Sequence, residues 1–164
     1  MLTSAVSQTD EPRFARATPG DAGRVWELQR AAFAEYLGLQ NPPPSVWRAS
    51  VADVHQWLSD GGGLLAWLGD VLVGSIVWSY RGPVLYVQHV SVHPAYRRRG
   101  LASRMMIWLE AEARLQGYTQ LGLRIRSAVR GNQALYESLG FIVTDTVPHP
   151  LGGAETLTGM EKRL

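Results

Sequence analysis

Apolar positions along this chain change period several times, and each change marks an element. Residues 1–12 show no period and read as a mobile tail, because so little apolar surface cannot offset the entropy of ordering it. A short strand is expected at 14–17. After the Thr18-Pro-Gly-Asp21 turn, with Asp21 a candidate N-cap, Ala22, Val25, Leu28, Ala32 and Tyr36 recur at helical spacing and predict a helix over 22–36. Three prolines at 42–44 break the chain. A second helix is expected to carry Trp47, Val51, Val54, Trp57 and Leu58 on one core-facing side and to stop at Gly61-Gly-Gly63. Extended runs then take over: 64–68 and 71–78 around the Gly69-Asp70 hairpin turn, and 85–92 after Arg81-Gly82-Pro83. Leu101, Met105, Trp108 and Leu109 predict a helix over 100–116, with Gly117 as its C-terminal cap. A strand at 121–126, a short helix at 130–139 and strands at 141–146 and 159–164 complete the chain. The order predicts an α/β (α+β) protein with a central mixed, mostly antiparallel sheet and about four helices. The two βα units of the second half imply locally parallel strands. No repeat or linker divides residues 13–164, which are read as a single domain.

Composition removes several classes. Hydrophobic residues make up 46% and charged residues 18% of the 164, which fits a globular domain with a real core. The formal net charge of +2 is too small to argue for nucleic acid, even though Arg97, Arg98 and Arg99 stand together. There is no cysteine, so disulfides, thiolate nucleophiles and cysteine metal sites are excluded. His55, His89, His93 and His149 lack zinc-enzyme spacing, and no metal is expected. No apolar run is long enough for a membrane span and no secretory signal is visible, so the expected location is cytoplasmic, with no membrane partner.

One stretch carries chemistry. VSVHPAYRRRGLASRMM, residues 90–106, is a β-branched strand end, a His93-Pro94 stop, three arginines, Gly100 and a helix start. The first N–H groups of a helix have no partner within it, and the helix dipole favours negative charge there. Gly100 allows close backbone approach and Ala102 keeps the next site small, so the arrangement suits a pyrophosphate. It is neither a Walker loop nor a dinucleotide fingerprint. It resembles the Q/R-x-x-G-x-G/A signature of the GNAT superfamily of acyl-CoA N-acyltransferases, filled here by Arg97, Gly100 and Ala102. The order of elements is similar to the GNAT fold over nearly the whole chain. The resemblance implies acetyl-CoA as cosubstrate, held in a cleft where strands 85–92 and 121–126 splay apart. Backbone groups of Val90, Ser91 and Val92 would meet the pantetheine, and Arg97, Arg98, Arg99, Gly100, Leu101, Ala102 and Ser103 the pyrophosphate.

A second segment, Gly131-Asn132-Gln-Ala-Leu-Tyr136-Glu-Ser-Leu-Gly140-Phe141, resembles the family's N-x-x-L/A-Y-x-x-L-G-F motif. By itself it reads as an N-terminal cap and a core tyrosine, four residues apart on one helix face. The resemblance makes Tyr136 the general acid for the departing thiolate and places Asn132 at the cofactor. Where many members carry an asparagine seven residues before the tyrosine, this chain has Val129. The general base is less evident. Positions where relatives carry an acid hold Arg124, Gln88 and His89; His89 is the candidate base and a water relay through Gln88 the alternative. Direct attack by a primary amine through a tetrahedral intermediate is implied, with the Val90 N–H as oxyanion donor. The acceptor, a small-molecule amine or a peptide or protein amine, would lie between 29–47 and 147–158, near Glu27, Glu35, Tyr36 and Glu155. A non-catalytic acyl-CoA-binding sensor is the alternative function. Oligomeric state stays open, a homodimer included.

Overall fold

One seven-stranded mixed sheet, in the order β1-β2-β3-β4-β5-β7-β6, forms the centre of the molecule. The computed structural model describes residues 11–164. β1 (Arg13–Ala17), β2 (Gly62–Leu68), β3 (Val71–Arg81) and β4 (Val84–Val92) are each antiparallel to the next. β5 (Gln120–Arg126) lies parallel to β4, and β7 (Thr156–Arg163) is antiparallel to both β5 and β6 (Ile142–Pro148). The predicted hairpin turns form where expected, with Gly69 at φ 56° and Gly82 at φ 59°. These are left-handed values that glycine adopts without a Cβ clash.

Helices cover both faces. α1 (Ala22–Phe33) and α2 (Val51–Asp60) bury Ala22, Val25, Val54 and Leu58 against Leu65 and Val77. Strand alternation sends Leu64, Ile76 and Trp78 to the other side. There α3 (Leu101–Leu115) adds Leu101, Met105 and Leu109, and α4 (Arg130–Ser138) adds Tyr136. Each such side chain contributes ~1.5–3 kcal/mol of transfer free energy. Gly74 lets α3 sit close: a Cβ there would be 2.7 Å from the Met105 sulfur. Among the described residues, no helix is long and apolar enough to cross a membrane.

The structure corrects four details. The second helix does not include Trp47. It starts at Val51, because the Ser50 hydroxyl accepts the Asp53 N–H while the Asp53 carboxylate accepts the Ser50 N–H. Val51 is exposed, and Trp47 sits in a separate 3-10 turn, Ser45–Trp47, where its indole N–H donates to the Phe33 carbonyl. Asp21 does not cap α1 with its side chain; its carboxylate turns back to accept from the N–H and hydroxyl of Thr18. Only one of the two βα units yields neighbouring parallel strands. β7 is wedged between β5 and β6, pairing antiparallel with both and leaving β6 at the edge. The expected tail lies outside the described residues up to position 10; Glu11, just beyond, forms an ion pair with Arg104 of α3.

Candidate active site

β4 and β5 part company halfway along. Residues 84–87 pair with 120–123, and beyond Val87 the edge of β4 has no strand partner on that side. A bulge starts the departure: Trp78 pairs with Val87 and Val77 with His89, so Gln88 is an extra residue in β4. A bulge bends a strand and re-aims the side chains beyond it. The gap opens into a cleft of about 1080 Å³. Its walls are the free half of β4, the second half of β5, the N-terminus of α3 and the first turns of α4.

The basic glycine turn closes one end. A 3-10 turn, Pro94–Tyr96, follows β4, its start fixed by the Ala95 N–H donating to Nδ1 of His93. Arg98 then takes φ 60°, the one left-handed non-glycine residue among those described. Such a conformation costs about 1–2 kcal/mol and persists only when its surroundings impose it. Gly100 is left-handed too, at φ 72°, and opens α3 with no side-chain cap, so the first α3 N–H groups are left for a guest. Among the described residues, a Cβ on Gly100 would meet nothing within 4 Å. The glycine is thus required by backbone conformation, not by packing.

Most of the expected site residues share this cleft: His89, Val90, Val92, Arg97, Arg98, Gly100, Leu101, Ala102, Ser103, Asn132 and Tyr136 all line it. Two do not. Ser91 alternates away from Val90 and Val92, and its hydroxyl is buried without a partner. Arg99 turns outward over the Tyr96 ring, 5.2 Å from its centroid. Arg97 lines the cleft but is already engaged, bonding Glu35 and the Ala32 carbonyl at the end of α1. It ties the glycine turn to the opposite wall.

Tyr136 is almost fully buried, edge-on to Phe141 at 5.7 Å. Burial pushes its phenol well above the ordinary value, so it is protonated at any physiological pH. His89 packs against Trp57 of α2, the rings 4.9 Å apart and tilted by 32°, and burial lowers its pKa to about 4. It is therefore neutral at pH 7 but holds a proton weakly.

The far end of the cleft is built from side chains and loops. Phe33, Glu35, Tyr36, Pro43, Pro44, Val46 and Arg48 line one side; His149, Pro150 and Leu151 line the other. Arg126 joins the two sides, bonding Glu155 and the Pro43 carbonyl, while Glu155 also accepts the Asn41 N–H. Sequence pattern does not single out Arg48 or Arg126, and it presents Arg124 only as a residue unable to act as a base. The available signal is Arg124-Ile125-Arg126, two arginines on one face of an otherwise apolar strand. Of the carboxylates expected near the acceptor, Glu35 and Glu155 are paired with arginines, and Glu27 does not line the cleft.

Residues 25–141 match the acetyltransferase (GNAT) family. The chain belongs to that family. An acetyltransferase of Yersinia pestis (strain Pestoides F) is 30% identical over 84 residues, which are 51% of this chain and 60% of that protein. The match therefore spans less than two thirds of the relative's length. The PaiA N-acetyltransferase of Thermoplasma acidophilum, solved in complex with coenzyme A, superposes with a TM-score of 0.79 at 16% identity, covering 94% of this chain and 99% of that one. The yncA protein of Salmonella typhimurium, solved with its cofactor acetyl-CoA, gives 0.73 at 22% identity, covering 93% of each chain. At these identities the two structures show that this GNAT chain shares their fold.

Proposed function

We propose that this protein moves an acetyl group from acetyl-CoA to a primary amine. The observation that carries the reading is the unpaired half of β4 running directly into the uncapped, left-handed start of α3. A pantetheine arm needs amide partners along an extended backbone, and a pyrophosphate needs free N–H groups; the cleft offers both in that order. Support also comes from the coenzyme A and acetyl-CoA complexes of the two structural relatives.

Acetyl-CoA supplies the activated acetyl group. The chain's own part is positioning and proton handling. The Val90 N–H, on the free edge of β4, is the donor for the oxyanion of the tetrahedral intermediate. Tyr136, kept protonated by burial, gives its proton to the leaving thiolate. Loss of a proton from the incoming ammonium runs through water ordered at the Gln88 bulge. His89 can accept a hydrogen bond on this route and pass a proton on, but at a pKa of about 4 it cannot retain one. With no cysteine in the chain, direct attack is favoured over a thioester-exchanging intermediate.

The test is thiol release from acetyl-CoA by the purified protein with a panel of amines, with product mass confirming N-acetylation. Saturable, amine-dependent release is expected. Tight coenzyme A binding without release for any amine would leave only a binding module.

A further inference from the structure

The far end of the cleft has an uneven charge balance. Its wall carries Arg48, Arg124 and Arg126, and the two carboxylates beside it, Glu35 and Glu155, are paired with Arg97 and Arg126. Arg126 is spent on Glu155 and Pro43, and Arg124 donates to Asp145 at 2.8 Å. Arg48 is different. Among the described residues it has no carboxylate within 4 Å and no side-chain hydrogen bond. Burial first, then Arg126 and last Arg48 hold the His149 imidazole below its ordinary pKa, against the opposing effect of Glu155. Arg48 is solvent-exposed and adds a planar fork of five donors to the lining of a chamber in which Phe33, Val46, Pro44 and Leu151 stand beside Tyr36, Gln40 and His149.

The chamber is also tied shut along one side. The Asn41 N–H and the Arg126 guanidinium both bond Glu155, and Arg126 bonds the Pro43 carbonyl, so the segment before α2 is fastened to the β6–β7 loop. The two backbones touch: a Cβ on Gly153 would lie 3.0 Å from the Asn41 oxygen. A joined wall of this kind favours a small guest over a folded protein surface.

We infer that the acceptor is a small amine that also carries a carboxylate, of the amino-acid type with an apolar side group, and that Arg48 binds the carboxylate. This rests on the acetyl-transfer reading above. It also accounts for the lack of an acidic base. By matching the carboxylate, Arg48 brings the ammonium pKa of such an acceptor down toward the α-amino value of about 7.7–8.0 that holds beside an uncharged carbonyl. A useful fraction is then already neutral at pH 7–8, and a water relay suffices. A carboxylate near the amine on the protein would hold the proton more tightly instead.

The experiment compares apolar L-amino acids, their primary amides, simple alkylamines and short peptides as acceptors for the full chain with acetyl-CoA. Thiol release is read for the wild type and for Arg48→Gln. For the wild type, kcat/KM for the free amino acid should exceed that of its amide by about 10-fold or more, since a site built for a charged group is left unpaired by the neutral analogue. Arg48→Gln should abolish that preference through KM for the amino acid, with KM for acetyl-CoA unchanged and Arg48→Lys restoring part of it. Amides, alkylamines or peptides used as well as the free acid would overturn the inference and leave acetyl transfer standing. So would an acid-to-amide ratio unchanged in Arg48→Gln. Release with no acceptor of any class would remove the transfer reading and this inference together.

Discussion

The two ends of the cleft are made of different material. The glycine-turn end is backbone: an unpaired strand edge, a left-handed Arg98 and Gly100, and the first N–H groups of α3. The far end is side chain: Arg48, Arg126, Glu155, His149 and Tyr36, brought together from segments more than a hundred residues apart. Backbone groups present the same atoms whatever the residue, so that end suits a guest that is constant. Side chains can change without disturbing the sheet, so the other end suits a guest that distinguishes one protein from the next. Arg97 belongs to both, since it leaves the glycine turn to bond Glu35 and Ala32 on the acceptor side.

The contrast can be broken most forcefully at Gly100. Gly100→Val forces a β-branched residue to φ 72° and projects its side chain into the space facing the helix start. Coenzyme A affinity by calorimetry should fall by ~10³-fold, about three such tenfold steps of 1.4 kcal/mol, in a protein whose far-UV circular dichroism is unchanged. Unaltered affinity would show that this end does not hold the cofactor. Tyr136→Phe comes next. It keeps the packing against Phe141 and removes only the hydroxyl, so kcat should drop by roughly 10²-fold with coenzyme A affinity retained. Wild-type turnover would return Tyr136 to the core alone.

A smaller effect is expected at the side-chain end. Glu155→Gln weakens the tie between the Asn41 segment and the β6–β7 loop. KM for the acceptor should rise by about 10-fold, as loosened positioning groups do, while KM for acetyl-CoA stays put; equal rises in both would mean that the two ends are not independent. Hydrogen bonds from Arg126 and Asn41 hold the Glu155 carboxyl below its usual pKa against the opposing effect of burial. Its contribution is therefore present above the unfolded value of about 4.3 and is lost as pH falls through the lower folded value. The last effect concerns His89 and is read in stability rather than in affinity or turnover. Its folded pKa of about 4 lies under the unfolded 6.5, so the neutral form stabilises the fold above pH 6.5 and that stability is lost as pH drops toward 4. The slope of unfolding free energy with pH should approach one proton between these values, and His89→Phe should flatten it. An unchanged slope would mean that His89 is solvated despite its contact with Trp57.

Much of the cofactor end was legible because local sequence controls local backbone. Val90 to Gly100 specify a strand, a proline stop and a helix start through nearest-neighbour sterics, and Gly69, Gly82 and Gly117 mark turns for the same reason. Alternation at β2 and β3 and the helical stripe of α1 likewise come from burying one face of each element. The chain by itself thus determined the order of elements, the left-handed glycine and the pairing of Asn132 with Tyr136 on one helix. The rest belongs to the tertiary structure. The Gln88 bulge depends on the register between β3 and β4, and no local rule states which residue a partner strand will skip. β7 lies between β5 and β6 because long-range pairing, not chain order, decides neighbours. Ser91 and Arg99 turn away from the cleft, one by strand alternation after that bulge and the other by stacking on Tyr96. Arg48, Arg126 and Glu155 become one wall only because the segment before α2, the end of β5 and the β6–β7 loop meet in the fold, and charge at a distance in sequence is invisible until folding makes it a distance in space.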